Sequence, residues 1–252
     1  MVISLKTIFT DTGKLSLFTG RFFKEVFTAP FELKEFLRQC YVIGYKSLPL
    51  VGITGFIMGL VLTIQTRPTL AEFGAESWLP GMVALSLIRE IAPVITALIC
   101  AGKISSGIGA ELGSMKVTEQ IDAMEVSGIN PYKYLVVTRV LAATLMVPLL
   151  VVFADGIGIM GGFAGINIHN DVTLFRYISQ VMASLEFIDI IPATIKTFFF
   201  GFFIGMIGCY KGFTAANGTE SVGKAATSAV VAASLTIFII DMLAVQITDF
   251  FI

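Results

Sequence analysis

From residue 48 onward the chain alternates long apolar runs with short polar stretches. The runs at about 48–66, 82–101, 134–165, 187–210 and 225–251 approach or exceed the roughly 20 residues that a helix needs to cross a hydrocarbon core of about 30 Å. They predict five transmembrane helices. Upstream, residues 21–47 (RFFKEVFTAPFELKEFLRQCYVIGYKS) mix Phe, Leu and Val with Lys, Arg and Glu at helical spacing, the pattern of a helix that lies in the membrane interface. No barrel patterning appears. The expected architecture is an all-α integral membrane protein forming one domain over residues 1–252, with a cytoplasmic or interfacial N-terminal helix at 1–47 and a five-span bundle at 48–251.

Composition agrees with this pattern. Hydrophobic residues make up 56 % and charged residues 14 %, with mean hydropathy +0.87, against about 25 % charged in an ordinary soluble domain. The first 25 residues lack a short apolar core followed by a small-residue cleavage site, so no cleaved signal peptide is expected. Lys and Arg set the orientation, because cytoplasmic loops retain positive charge. Residues 1–47 hold seven, 103–139 four and 211–224 two, against Arg67 and Arg176 in the opposite loops. The N-terminus then faces the cytoplasm and the C-terminus faces out. A net charge of -1 and the lack of a basic stripe with interleaved aromatics give no sign of a nucleic-acid partner.

One compact charged stretch interrupts the apolar pattern, ELGSMKVTEQIDAMEVSGINP, Glu111 to Pro131. Thr118 can cap a helix whose first turn holds Glu119 and Asp122, and Gly128 followed by Asn130-Pro131 supplies a stop. About nine helical residues are too few for stability in isolation. Glu119, Asp122 and Glu125 recur every three residues and share a face. That face is either simply solvated or a docking surface, such as a transporter driven by a separate motor needs between its spans.

Two glycine patterns mimic nucleotide loops. Gly218-x-x-x-x-Gly223-Lys224 is followed by Ala225 in place of a magnesium-binding Ser or Thr, and no strand precedes it. Gly156-x-Gly158-x-x-Gly161 lies inside the third span, where such glycines, like the pairs Gly55/Gly59 and Gly201/Gly205, favour close helix packing. Cys40, Cys100 and Cys209 match neither a disulfide framework nor a metal site. The lone His169 sits in an outer loop without a second ligand nearby, so no metal is expected.

Charges inside the spans are the remaining chemistry. Arg89 and Glu90 fall in the second span, Lys196 in the fourth and Asp241 in the fifth. Each costs at least about 2.5 kcal/mol if isolated at mid-bilayer, so a partner or water is required. Counting about 1.5 Å per residue places all four in the outer half of the membrane. The expectation is a network in which Arg89 and Lys196 neutralise Glu90 and Asp241, serving as a structural clasp or as a part that moves in transport.

Four stretches carry a family resemblance: AELGSMKVTEQIDAMEVSGINPYKYLVVTRVLA (Ala110–Ala142), ALSLIREIAPVITALICAGK (Ala84–Lys103), GLVLTIQ (Gly59–Gln65) and VGKAATSAVV (Val222–Val231). The chain resembles the MlaE/YrbE permeases, membrane subunits of ABC systems that move phospholipids or related lipids between bacterial membranes, over about residues 30–250. The resemblance implies a homodimer in the bacterial inner membrane, each subunit having an N-terminal elbow helix and five spans, bound to a pair of cytoplasmic ATPases. ATP and magnesium would belong to that partner, and this chain would carry no cofactor and no catalytic residue. The stretch at 111–131 would be the coupling segment, with Glu111, Glu119, Asp122 and Glu125 as ATPase contacts. A periplasmic MCE-domain protein would continue the lipid path on the outer face. The outer end of the first span, Leu62, Leu70 and Phe73, would line the lipid pocket, with Arg67-Pro68 interrupting it. Two other classes remain open on the residues alone: an ion-coupled carrier using the intramembrane charges, and a membrane anchor for the outer-face protein.

Overall fold

The computed structural model describes residues 5–28, 31–168 and 172–251, so His169 lies outside the described residues. Helices make up nearly all of these, and no strand occurs among them. In chain order they are α1 (Leu5–Val26), α2 (Leu33–Ile43), α3 (Leu48–Glu72), α4 (Glu76–Val117), α5 (Gln120–Val126), α6 (Tyr132–Asn167), α7 (Leu174–Ser184), α8 (Phe187–Phe213) and α9 (Thr219–Phe251). Five segments are long and apolar enough to cross a membrane: α3 with its leading turns from Leu33, then α4, α6, α8 and α9. The protein is therefore a multi-pass membrane protein.

Several boundaries differ from those expected. The single helix read over 21–47 is two: α1 ends at Val26 and α2 begins at Leu33. Arg67-Pro68 does not interrupt the first span. Helix α3 runs through Pro68 to Glu72, and Arg67 reaches Glu76 just past the helix end at 3.7 Å. Spans tolerate such prolines because the freed carbonyl finds other donors. Helix α7 was not anticipated; it is a short amphipathic helix with Tyr177 and Val181, one turn apart, on its buried side.

The chain forms two compact units, one from residues 1–43, 100–145 and 201–236, the other from 44–99, 146–200 and 237–252. In the first unit, α1 packs on the start of α6 through an aromatic cluster. Phe18 meets Tyr132 edge-on with centroids 4.9 Å apart and also meets Tyr210 and Phe213. Arg21 lies 4.6 Å above the Tyr132 ring, a cation–π contact, and the Tyr132 hydroxyl donates to the Phe18 carbonyl. Asn130 and Lys133 add hydrogen bonds to Glu25 and Thr28. Elsewhere in this unit a Cβ on Gly201 would stand 2.5 Å from the Ala143 carbonyl, so only glycine lets α8 approach α6 there.

In the second unit, α3 and α6 touch backbone to backbone. A Cβ on Gly59 would fall 1.8 Å from the Gly158 carbonyl, which accounts for the glycine spacing in both helices. Beside this seam, Leu79, Val83 and Ala84 of α4, Ile166 of α6, and Tyr177 and Val181 of α7 form a buried cluster. The Tyr177 hydroxyl donates to the Ile159 carbonyl at 3.1 Å, and burial pushes its pKa up to about 12, so it remains a donor at physiological pH. Replacing Tyr177 with Phe is expected to lower stability by about 1 kcal/mol, read as a midpoint roughly 2–4 °C lower in thermal unfolding.

Candidate functional site

The intramembrane charges converge in the second unit. Helix α4 widens into a π-helical turn over Leu87–Ile91, a distortion that redirects consecutive side chains and is frequent at functional sites. Glu90 leaves this turn toward α8, where Lys196 donates to it at 2.7 Å and to Asp241 of α9 at 2.9 Å. The lysine side chain is only 5 % exposed, while Glu90 is 45 % exposed. Arg89 does not join this triad. It faces Asp189 on the first turn of α8 at 3.6 Å, because the two residues project from the π-turn in different directions. A cavity of about 30 Å³ opens beside Arg89, Glu90, Asp189 and Lys196, large enough to hold water.

Two further acids lie in these spans that the hydropathy pattern does not single out. Asp189 sits at the start of the fourth apolar run. Asp155 lies within α6 and buries Oδ1 without a hydrogen-bond partner; its neighbouring glycines drew the reading toward helix packing and away from the carboxylate.

The charged segment lies in the first unit and differs in detail from the expected helix. Thr118 does not cap α5. Its hydroxyl bonds back to the Ser114 carbonyl and it closes α4. The residue before α5 is Glu119, in the left-handed region at φ 58°, which costs a non-glycine residue roughly 1 kcal/mol or more. That turn lets the chain reverse so that Ile121 plugs into the protein, 3 % exposed. Helix α5 thus has seven residues, and Asp122 and Glu125 share its exposed side while Glu119 stands outside it. Asp122 is held by Lys116 at 2.8 Å. Val126 is 90 % exposed and Ile129 is exposed as well, giving the acidic surface an apolar edge.

Glu111 is not on this helix. It belongs to α4 and accepts a 2.8 Å hydrogen bond from Arg139 of α6. The arginine is 2 % exposed and its carboxylate partner 49 %. Arg139 also donates to the Leu135 carbonyl at 3.0 Å, and its Nε is buried without a partner. Counted from sequence as a loop charge, Arg139 is instead a buried strut joining the helices on either side of α5; the only signal was an arginine one turn inside an apolar run.

The three lipid-pocket candidates separate. Leu62 and Leu70 lie eight residues apart on one side of α3, packed against the buried cluster of α4, α6 and α7. Phe73, just past the helix end, is 80 % exposed. The cysteines are free thiols, Cys100 and Cys209 buried and Cys40 partly so. Gly218, at φ +102°, opens helix α9, and Gly156, Gly158 and Gly161 lie inside α6.

Comparison with known proteins places this geometry. Residues 36–247 match the family described as Permease MlaE. A probable ABC transporter permease protein of Rickettsia felis is 39 % identical over 237 residues, covering 94 % of this chain and 92 % of the relative. The intermembrane phospholipid transport system permease protein MlaE of Haemophilus influenzae is 34 % identical over 209 residues, 82 % of this chain and 80 % of that protein. The chloroplastic protein TRIGALACTOSYLDIACYLGLYCEROL 1 of Arabidopsis thaliana is 34 % identical over 205 residues, 81 % of this chain and 59 % of its own length. With the match extending over more than four-fifths of its length, this chain belongs to the MlaE permease family.

Proposed function

We propose that this chain is the membrane subunit of an ABC transporter that moves phospholipids or related lipids between the bacterial inner and outer membranes. The observation that carries the reading is the match, over most of both chains, to a permease named for intermembrane phospholipid transport. The geometry supports a division of labour. Helix α5, pinned by Ile121 and presenting Asp122, Glu125 and Val126, suits a docking contact with a cytoplasmic ATPase that binds ATP and magnesium. Glu119 flanks it. Because Glu111 and Arg139 tie α4 to α6, a push on α5 moves both flanking helices together. The Lys196 triad joins α4, α8 and α9 in one clasp whose strength depends on water access, and the α3 face holding Leu62 and Leu70 borders the lipid path. A second copy of the chain and a periplasmic MCE-domain protein complete the assembly, with the N-terminus in the cytoplasm of an inner-membrane complex.

Reconstitution in proteoliposomes tests this. Labelled phospholipid is expected to move only when the co-purified ATPase and ATP are both present. Movement by the lone chain under a proton or sodium gradient would instead identify an ion-coupled carrier.

A further inference from the structure

An apolar groove lies in the second unit, away from Leu62 and Leu70. Its floor on α3 is a stripe of paired positions, Leu48 and Pro49, Gly52 and Ile53, Phe56 and Ile57, and its other wall is Phe153 and Ile157 of α6. The volume is about 530 Å³ and every lining residue is apolar. Ile53 and Ile57 stand exposed along it. Gly52 keeps it open, since a Cβ there would already come within 3.2 Å of the Phe153 ring.

We propose that this groove binds one acyl chain of a membrane phospholipid, with the phosphate met by Lys46 at the groove's end. Three observations converge. From Leu48 to Ile57 the helix rises about 14 Å at roughly 1.5 Å per residue, close to half of the about 30 Å hydrocarbon core and so to the depth of one leaflet. The turn before the groove, Tyr45–Ser47, is a 3₁₀ turn, in which residues three apart eclipse; at that spacing Tyr45 and Lys46 lead onto the side of the chain that Leu48 and Pro49 occupy. Tyr45 and Lys46 are both exposed, so an amphipathic ring and an ammonium group extend the stripe where a chain of this length would reach its head group. A concave wall contacts a chain on two sides, where a convex helix face contacts it on one. This assignment rests on membrane placement alone and not on the transport reading.

The test uses the full chain with its co-purifying partners in detergent, titrated with dioleoylphosphatidylglycerol and read by native mass spectrometry. The wild type is expected to retain one phospholipid per chain at this site. Gly52→Phe, which fills the groove, should cut that adduct roughly tenfold. Lys46→Glu should cut it about fivefold or more, since a Lys or Arg beside an anionic lipid surface is worth about 1 kcal/mol, and Lys46→Arg should restore it. Lys46→Arg keeps the positive charge, and thermal unfolding of all three variants separates loss of binding from loss of fold. Leu62→Trp, in the region assigned to the transported lipid, is expected to lower flux while keeping this adduct. Unchanged adducts in both Gly52→Phe and Lys46→Glu would overturn the proposal. So would an adduct lost in Leu62→Trp alone, or a disulfide joining two copies through Ile53→Cys, which would show that a second chain covers the groove.

Discussion

Replacing Lys196 with methionine is expected to cost about 3 kcal/mol or more of stability and to abolish lipid movement. The ammonium group touches two carboxylates, Glu90 at 2.7 Å and Asp241 at 2.9 Å, and removing it leaves both facing each other without a cation. Loss of one partner from a buried ion pair costs about 3–5 kcal/mol; the lower end applies because Glu90 is only half buried within the chain. The same principle predicts rescue. Lys196→Met combined with Glu90→Gln and Asp241→Asn removes charge and counter-charge together, and its thermal midpoint should return most of the way to wild type. Detergent-solubilised protein followed by thermal unfolding would check both variants. A single variant as stable as wild type, or a triple variant no better than the single, would contradict the clasp.

The Glu111–Arg139 pair should respond asymmetrically, although both side chains share one 2.8 Å contact. Glu111→Ala strands a buried guanidinium that keeps only the Leu135 carbonyl and whose Nε already lacks a partner. A cost of about 3 kcal/mol follows from leaving that charge unpaired. Arg139→Met replaces the arginine stem with an apolar chain and leaves Glu111 half-solvated, so the loss should be about 1 kcal/mol. In both variants α4 and α6 lose their strut, and ATP-driven lipid movement should fall even where the fold survives. Equal destabilisation by the two, or the reverse order, would mean that burial of Arg139 does not govern the pair.

How much was legible depends on which physical signal a segment carries. The spans announce themselves because hydrocarbon thickness demands a long apolar run, and α4, α6, α8 and α9 contain the expected segments. The Gly55/Gly59 pair and the Gly156-x-Gly158-x-x-Gly161 pattern pointed to packing, and Gly59 against Gly158 supplies the contact. Short elements were harder. Helix α7 has only eleven residues, and its apolar side becomes recognisable beside the cluster it completes. The left-handed Glu119 was hidden because its residue type gives no warning of a conformation that glycine usually supplies. Charge pairings across distant helices were only half legible. Composition and depth brought Lys196, Glu90 and Asp241 into one group, whereas Arg89 turning to Asp189 depends on the π-turn at Leu87–Ile91, which leaves no mark in hydropathy. The Glu111–Arg139 strut spans 28 positions of sequence and breaks no local pattern.

The acidic turn before and along α5 offers the most direct trial of the coupled-permease account. Glu119→Lys, Asp122→Lys and Glu125→Lys together alter only exposed groups, so insertion and thermal stability should stay near wild type. Co-purification of the ATPase and ATP-dependent lipid flux are then measured on the same preparation. Both are expected to drop at least about tenfold, the equivalent of about 1.4 kcal/mol of lost contact. Wild-type levels of both in the triple variant would contradict the coupled-permease account.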